Sequence, residues 1–299
     1  MENHRKKILV TGALGLLGNL LANQLSRNYD VTGIDNDFRP NKEKQVDFTL
    51  IRTNVKDFVK NNENCYDYIF HFSAINGTKY FYEIPNQLVE NNTYSDIEIF
   101  NYAKLNNSKV IYASTSEVVS DTEIIPTPEE KNATINDIHN PRWSYRLSKI
   151  LSENYLYNSN LDFLIIRFFN IYSENSKSGH FIFDIVEKIK NKNFIVSGSN
   201  ETRSFCYAND AIDAVLNIFN KVNNEIVNVG NDEEILIMDA VKIISSYYNV
   251  NDNWQFKESL PGSTLRRLPC INKLRKYYPA FSPVLFSEGI KKVLDYENF

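Results

Sequence analysis

A chain of 299 residues, of which 42% are hydrophobic and 23% charged, can bury a full core, so its composition excludes disordered and fibrous classes. The net charge of −4 and the absence of a basic tract give no reason to expect a nucleic-acid partner. Three widely spaced cysteines, without a CxxC or Cys/His cluster, argue against a disulfide framework and a structural metal, and favour a reducing compartment. With no signal-peptide pattern and no apolar stretch of membrane-spanning length, we predict a cytoplasmic protein without a membrane partner.

Strand-like and helix-like segments alternate along the first 170 residues. Short apolar runs predict strands, and a spacing of about 3.6 residues between apolar positions predicts helices. The predicted strands are Lys7–Val10, Asp30–Ile34, Phe48–Thr53, Asp67–Phe72, Lys109–Ala113 and Phe163–Phe168. The predicted helices are Leu16–Leu25, Ile84–Leu105 and Trp143–Tyr157. This alternation predicts an α/β fold with a Rossmann-type doubly wound parallel sheet.

The alternation loosens beyond about residue 170. Predicted helices at Phe181–Lys190, Ala208–Phe219 and Met238–Tyr247 are separated by isolated strands such as Phe194–Val196. We therefore predict two units: residues 1–170 as a sheet domain that carries the catalytic residues, and residues 171–299 mainly as a smaller α/β lobe for a second ligand. The chain is free to cross between the two units.

A glycine-rich turn joins the first strand to the first helix. Gly12, Gly15 and Gly18 allow a tight turn, a close backbone approach to a pyrophosphate and close packing of helix on strand. Their spacing is G-x-x-G-x-x-G, whereas the usual dinucleotide-binding pattern is G-x-G-x-x-G. The helix N-terminus supplies amide donors for phosphates. Asp35 ends the second strand, where a carboxylate accepts hydrogen bonds from the adenosine ribose and repels a 2′-phosphate. The pattern predicts NAD, with NADP left as an alternative by the nearby Arg39.

Tyr145 and Lys149 lie four residues apart on a predicted helix and therefore share a face. The lysine ammonium, with the positive charge of nicotinamide, is expected to lower the tyrosine pKa, so that the tyrosine can take a proton from a substrate hydroxyl. Thr115 lies at the end of the fifth strand, where open α/β sheets bind ligands, and can hold the reacting oxygen beside Tyr145. The alternatives are a surface Tyr/Lys pair and an ordinary Ser/Thr-rich turn.

Together these motifs resemble the extended short-chain dehydrogenase/reductase family, specifically its NAD-dependent nucleotide-sugar epimerases, dehydratases and decarboxylases. The resemblance covers nearly the whole chain, since it also rests on later segments. These are Asp67–Ala74, Asn91, Arg167–Tyr172, Thr202–Tyr207 with Asp210, Asn228–Gly230 and Arg266–Pro269.

The resemblance implies that NAD oxidises C4 of a nucleotide-linked sugar, with Tyr145 as the base, Lys149 on the nicotinamide ribose and Thr115 on the O4 hydrogen. The implied cofactor residues are Gly12, Leu14, Gly15, Leu16, Leu17, Gly18, Asp35, Asn36, Asn54, Val55, Phe72, Ser73, Ala74, Asn91, Ala113, Tyr145, Lys149 and Phe168. The implied substrate-binding residues are Thr115, Asn170, Arg203 and Arg267. The resemblance also implies a homodimer, formed by the helix near 84–105 and the Tyr/Lys helix.

The run Thr115-Ser116-Glu117 narrows the resemblance to enzymes like GDP-mannose 4,6-dehydratase and UDP-glucuronate decarboxylase. In those enzymes a glutamate beside the threonine assists a second step after C4 oxidation, whereas simple 4-epimerases usually lack it. Ser116 and Glu117 are therefore further candidate catalytic residues. The alternative is that Glu117 only caps or solvates the turn.

Three departures from the family pattern fall around the predicted sugar pocket. Val119-Ser120 replaces the usual Tyr-Gly after Glu-Val, Ser173-Glu174 replaces Gly-Pro after Asn-x-Tyr, and Cys270 stands where an acidic residue usually follows Arg-x-Pro. None of them falls in the cofactor site. We infer that cofactor use is retained while the substrate or net product is unusual.

The leading hypothesis is oxidation at C4 of a GDP- or UDP-linked hexose or heptose, in the synthesis of surface-polysaccharide sugars. The 4-keto sugar would be released, dehydrated or epimerised. An alternative is decarboxylation of a nucleotide uronic acid, which needs a cation near C6 that Arg267 can supply. The remaining alternative is a non-catalytic NAD-binding sensor.

Overall fold

A parallel sheet forms the centre of the protein in the computed structural model, which describes residues 5–39, 44–119, 123–130, 133, 135, 137–174, 180–250, 254–259 and 263–296. The strands are β1 (Lys7–Thr11), β2 (Asp30–Asp35), β3 (Thr49–Arg52), β4 (Tyr68–His71), β5 (Lys109–Thr115), β6 (Phe163–Phe168), β7 (Ile171–Tyr172), β8 (Ile195–Ser197), β9 (Thr202–Arg203), β10 (Cys206–Tyr207), β11 (Glu225–Val229), β12 (Ile235–Leu236), β13 (Gln255–Lys257) and β14 (Arg266–Arg267). The helices are α1 (Leu16–Leu25), α2 (Val55–Asn61), α3 (Thr78–Glu83), α4 (Pro85–Asn106), α5 (Ser144–Tyr157), α6 (Phe181–Lys190), α7 (Ala208–Ile218), α8 (Ile237–Tyr247), α9 (Asn272–Tyr277) and α10 (Phe286–Tyr296). Short 3₁₀ turns occupy Ser116–Val119 and Pro141–Trp143.

Seven parallel strands are joined in the order β11-β6-β5-β4-β1-β2-β3. The strand order reverses between β1 and β4, which are neighbours in the sheet but not consecutive in the chain. In open α/β sheets a crevice forms at such a point, outside the carboxyl ends of the strands. The predicted fold class is confirmed.

Alternating side chains of β1 enter two different core layers. Ile8 and Val10 pack in one cluster with residues of α1 and α7, and Leu9 packs in another with residues of α2, α4 and α5. Successive side chains of a strand point to opposite faces of the sheet, so a continuous apolar run buries the sheet on both sides.

A third cluster of buried residues belongs mainly to α6, α8 and α10. Short sheets lie beside it, pairing β10 with β7, β13 with β8, and β9 with both β12 and β14. The chain also returns to the large sheet: β11 pairs with β6 and forms the edge strand of that sheet. The division at residue 170 remains a prediction.

The strongest sequence patterns correspond to observed elements. α1, β6 and α6 have the predicted bounds, and the other predicted elements differ by one or two residues at their ends. We did not predict α2, α3, β11, α9 or α10. Ser120, one of the departures noted above, lies outside the described residues.

Candidate active site and cofactor cleft

The glycine loop after β1 leaves no room for side chains. Gly12 has φ +69, and a Cβ there would lie 2.8 Å from the backbone nitrogen of Ser73. A Cβ on Gly18 would collide with the carbonyl oxygen of Gly12. Gly15 is the N-cap of α1, and it has no side chain that could bond to the first amides of this helix. The loop therefore exposes backbone at a helix N-terminus, which fits a dinucleotide pyrophosphate.

A cleft opens along this loop at the crevice between β1 and β4. The predicted cofactor residues that line it are Gly12, Gly15, Leu16, Asp35, Asn36, Asn54, Val55, Phe72, Ser73, Ala74 and Asn91. Asp35 is fixed there, since its carboxylate accepts hydrogen bonds from the amides of Leu14 and Asp37, each at 2.9 Å. A fixed carboxylate at the end of β2 fits an adenosine ribose with a free 2′-hydroxyl.

The other predicted cofactor residues are not among the described residues that line the cleft. Leu14 turns its amide toward Asp35, Leu17 packs against the core, and Gly18 lets α1 pack on the loop. Ala113 accepts a hydrogen bond from Lys149 through its carbonyl, and Phe168 packs edge-on against Phe72. These five residues thus support the walls of the cleft, and their contact with the cofactor remains a prediction.

Several cleft residues lie outside the predicted set: Ile34, Phe38, Lys44, Thr53, Ile75, Ser95 and His180, with Arg39. His180 comes from the N-cap of α6, more than 100 residues beyond most of the others, so no local motif marks it. In the sequence, Arg39 indicates only the alternative cofactor NADP. Its Nη2 is buried and has no hydrogen-bond partner among the described residues, which fits a donor that awaits a ligand.

Thr115, Tyr145 and Lys149 come together where β5 ends and α5 begins. The Thr115 side chain acts on the Tyr145 phenol, lowering its pKa. The Tyr145 ring stacks on the Phe81 ring, with 5.5 Å between the ring centroids. Tyr145 is only 6% exposed. Lys149 Nζ lies 6.0 Å from the Tyr145 ring centroid. The strand end and the helix therefore place a hydroxyl, a phenol and an ammonium in one pocket.

The other protein groups around Tyr145 act against the lowering of its pKa that the sequence predicts from Lys149 and nicotinamide. Burial and the charges of Glu117 and Asp96 raise its pKa, outweighing the lowering by the Arg39 charge and the Thr115 hydrogen bond. The Lys149 ammonium donates to the Tyr112 hydroxyl and to the Ala113 carbonyl, both at 2.9 Å. The protein groups alone thus hold Tyr145 as the phenol.

Glu117 forms ion pairs with two arginines beside this pocket. Its Oε1 lies 3.0 Å from Arg267 Nη1 and 3.3 Å from Arg142 Nη2. Burial would raise the Glu117 pKa, but the charges of Arg267, Arg142 and Arg146 lower it below its ordinary value. The turn is capped instead by Thr115 Oγ1, which accepts from the Glu117 amide at 3.2 Å. Glu117 is therefore more than a turn cap, while Arg142 had no motif to single it out.

The remaining predicted residues are placed close by but are engaged with protein groups. Ser116 is buried. Asn170 Nδ2 donates to the Ser204 carbonyl at 2.9 Å. Arg203 pairs with Glu201 and also donates to two backbone carbonyls, and burial and the charge of Arg267 lower its pKa to about 10. Arg267 and Arg203 are register partners on β14 and β9. Their roles toward a substrate remain predictions.

Two further features are absent from the described part of the chain, a metal site and a membrane span. No group of three or more His, Cys, Asp or Glu side chains is placed to hold a metal ion there. Nor does that part contain a helix with the length and apolarity needed to cross a membrane.

Comparison with known proteins identifies relatives over the whole chain. The model of the NAD dependent epimerase/dehydratase family matches residues 8–230. The chain is 29% identical to UDP-N-acetyl-alpha-D-glucosaminuronate decarboxylase of Bacillus cytotoxicus, covering 98% of both proteins. It is 28% identical to UDP-glucuronic acid decarboxylase 1 of Danio rerio, covering 99% of this chain and 73% of that protein.

Solved structures share the fold. UDP-glucose 4-epimerase of Thermotoga maritima superposes with a TM-score of 0.85 at 19% identity, covering 97% of this chain and 98% of that one. UDP-glucuronic acid 4-epimerase of Bacillus cereus, solved with UDP-glucuronic acid and NAD, gives the same TM-score and coverage at 24% identity. At these identities the likeness establishes the architecture alone.

Proposed function

Because the chain belongs to the NAD-dependent epimerase/dehydratase family, we propose that it oxidises C4 of a nucleotide-linked uronic acid and removes the C6 carboxyl group as carbon dioxide. Family membership confirms the resemblance, the prediction of an enzyme and NAD as its cofactor. The sequence hypothesis ranked 4-keto release, dehydration and epimerisation first and decarboxylation second. The proposal reverses that order.

The arginines around Glu117 are the observation that carries this proposal. Arg142 and Arg267 both pair with the one Glu117 carboxylate, so this group of three side chains has an excess of positive charge next to the Thr115–Tyr145 pair. A second carboxylate, such as C6 of a uronic acid, would balance that excess, and an arginine fork binds carboxylates well. The two curated relatives described above act on uronic acids by name, which supports the same choice.

The residues that would hold NAD are those of the cleft together with Lys149. The amides of the glycine loop would bind the pyrophosphate, Asp35 the adenosine ribose, and Lys149 the nicotinamide ribose. When bound, NAD supplies the hydride acceptor and a positive charge beside Tyr145. That charge opposes the effects that raise the Tyr145 pKa and favours the phenolate.

Tyr145 and Thr115 would carry the proton chemistry at C4. Thr115 holds O4, and the phenolate oxygen of Tyr145 takes the O4 proton as the hydride leaves C4. The product is a 4-keto uronic acid, in which the carboxyl group is β to the new carbonyl. The C5–C6 bond then breaks, its electron pair moves toward the C4 oxygen, and carbon dioxide leaves. C5 takes a proton from water, and return of the hydride to C4, with the Tyr145 proton to O4, gives a nucleotide-linked pentose.

Arg267 and Glu117 would control the carboxylate during this sequence. Arg267 binds the C6 carboxylate in competition with Glu117, and regains Glu117 as its partner once carbon dioxide has left. We place the reaction in the supply of sugars for surface polysaccharides, following the sequence resemblance.

A second candidate is release or epimerisation of the 4-keto sugar. It is favoured by Val119, Ser173 and Cys270, which depart from the family pattern in the loops around the predicted pocket. Val119 and Ser173 are both buried, so they shape that region by packing.

Mass spectrometry of the products tests the proposal. We expect purified protein with NAD to convert UDP-glucuronic acid, or its N-acetylglucosamine counterpart, into a product lighter by carbon dioxide. UDP-glucose and GDP-mannose should not be turned over. Loss of water from GDP-mannose, or conversion of the uronic acids with no change of mass or with loss of two hydrogens, would contradict decarboxylation and favour dehydration, epimerisation or release of the 4-keto sugar.

A further inference from the structure

A buried carboxylate lies one hydroxyl group away from the ammonium of Lys149. Asp96 is in the middle of α4 and is completely buried. The Tyr112 hydroxyl donates to Asp96 Oδ2 at 2.5 Å and accepts from Lys149 Nζ at 2.9 Å. Ser152 also donates to Asp96 Oδ2, at 2.5 Å. These hydrogen bonds thus link Asp96 to Lys149 across three elements, α4, β5 and α5.

The other oxygen of Asp96 leads toward the cofactor cleft. Asp96 Oδ1 lies 2.7 Å from His71 Nε2, and His71 Nδ1 lies 2.7 Å from Thr11 Oγ1. Thr11 is hydrogen-bonded in turn to Ser73 at 3.0 Å, and Ser73 lines the cleft. The Asp96 carboxylate therefore connects the floor of the cleft with the candidate catalytic lysine.

The direction of the Tyr112 hydroxyl depends on Asp96. An ionised carboxylate only accepts hydrogen bonds, so Tyr112 must give its proton to Asp96 and turn its lone pairs toward Lys149. The Ala113 carbonyl accepts a second ammonium hydrogen of Lys149, also at 2.9 Å. Two of the three ammonium hydrogens are thereby engaged with described residues, which leaves the third for a ribose hydroxyl of the cofactor.

A mainly structural role would not need a charge at this position. Burying a carboxylate is costly unless it is paired and fully hydrogen-bonded, and an apolar residue would fill the space in α4 more cheaply. Asp96 keeps the charge because it has partners: the charges of Lys149 and His71 and the His71 and Ser152 hydrogen bonds lower its pKa against the opposing effect of burial.

We propose that Asp96 is a positioning residue for the reaction: acting through Tyr112, it fixes the Lys149 ammonium and keeps that group protonated. The role assigned to Lys149 rests on the proposed function, whereas the coupling of Asp96 to Lys149 does not. The titratable groups that face this pair are His71 from β4, Tyr112 from β5, and Tyr145 and Glu153 from α5. Glu153 is itself paired with Arg167 of β6, at 2.7 Å.

The sign of the coupling follows from the charges. Burial lowers the Lys149 pKa, while Asp96 and Glu153 raise it in opposition. In Asp96→Asn the burial remains and the larger opposing charge is gone, so the Lys149 pKa must fall further. For an opposite charge at such short range the expected fall is about 1 to 3 pH units.

The test measures the titration of Lys149 directly. The full-length protein is labelled with ¹³C at lysine Cε, the Lys149 signal is assigned by its absence in Lys149→Met, and its chemical shift is followed against pH. We expect the midpoint to fall by about 1 to 3 units in Asp96→Asn and to fall less in Tyr112→Phe. The matched control is Tyr102→Phe. It removes a tyrosine hydroxyl of α4 that is bonded to the Asn64 carbonyl, outside this network. This variant should leave the titration midpoint of Lys149 unchanged.

A second measurement separates positioning from simple loss of fold. The pH profile of turnover of UDP-glucuronic acid should lose its alkaline limb at lower pH in Asp96→Asn, in step with the NMR midpoint, while circular dichroism stays native. The proposal is overturned if the Lys149 midpoint is the same in wild type and Asp96→Asn, or if Tyr102→Phe shifts it equally. Absence of turnover in the wild type would count against the proposed function only, because the NMR titration needs no substrate.

Discussion

Tyr145 is the residue to which the proposed chemistry assigns proton transfer at C4. A phenylalanine keeps the stacking on Phe81 but cannot exchange a proton with O4. Because general acid–base groups contribute roughly 100- to 10,000-fold to rates, Tyr145→Phe should reduce kcat by at least about 100-fold while NAD still binds. Steady-state turnover and calorimetric binding of NAD measure the two quantities.

The same helix offers a control for this substitution. Tyr155 is 39% exposed and its hydroxyl bonds to Asn101 at 3.2 Å, away from the pocket. Tyr155→Phe should turn over substrate like the wild type. A Tyr145→Phe enzyme with undiminished kcat would remove the tyrosine from the mechanism.

Glu117 gives a prediction about the second half of the reaction. Its lowered pKa keeps it ionised at neutral pH, and Glu117→Gln would leave Arg142 and Arg267 without their carboxylate. We expect Arg267 to hold the C6 carboxylate of the 4-keto uronic acid too strongly, which slows the loss of carbon dioxide, so that multiple-turnover kcat falls by about 100-fold. The NADH formed in a single turnover should still appear.

Rapid-mixing absorbance of NADH separates the two halves. If Glu117→Gln abolishes the single-turnover NADH signal as well, then Glu117 acts in C4 oxidation itself and the assignment to the later step is wrong. Lys242→Gln provides a charge-changing control on the exposed side of α8, where Lys242 pairs weakly with Asp239 at 3.4 Å.

At the scale of elements, the glycine loop and α1 act as one unit. Gly18→Ala would drive a methyl group into the carbonyl of Gly12, a backbone atom that cannot move without shifting the loop. Overpacking of this kind costs about 1 to 3 kcal/mol in the free energy of unfolding. NAD affinity should fall together with stability, as measured by urea unfolding and by calorimetry.

Gln24→Ala serves as the comparison for that substitution, because it changes a half-buried polar residue near the end of the same helix. Its unfolding free energy should remain within about 0.5 kcal/mol of the wild type. A Gly18→Ala protein that keeps both stability and NAD affinity would show that the loop tolerates a side chain, contrary to the close contact described.

Elements with strong periodicity or turn signals were predictable, whereas elements formed by tertiary context were not. The apolar run of β1 and the glycine turn fix α1 locally. β11, by contrast, reads Glu-Ile-Val-Asn-Val and becomes a sheet strand only because β6 offers it an edge. The same contrast holds in the site. Thr115, Tyr145 and Lys149 belong to short motifs that can be recognised in the sequence, whereas Arg142 and Asp96 acquire their roles from partners on other elements.

For the whole molecule, we propose a homodimer through the outer faces of α4 and α5. The two helices pack on each other, and each exposes a large side chain: Tyr94 of α4 is 64% exposed and Leu151 of α5 is 45% exposed. Burial of such groups is favourable. Light scattering coupled to size exclusion should give a dimer for the wild type and a monomer for Leu151→Glu.

Leu285→Glu is the matched control, since Leu285 is 49% exposed and precedes α10, far along the chain from α4 and α5. It should remain dimeric. A monomeric wild type, or equal dissociation of both variants, would rule out this interface.

The central claim is that one pocket oxidises C4 and then removes the C6 carboxyl group of a uronic acid. It is tested most directly by NMR analysis of the product formed from UDP-glucuronic acid and NAD in deuterium oxide. The account predicts a UDP-linked pentose that carries a solvent deuterium at C5, formed at least about 100-fold more slowly by Tyr145→Phe. A product that keeps six carbons, whether an epimer or a 4-keto sugar, would contradict it.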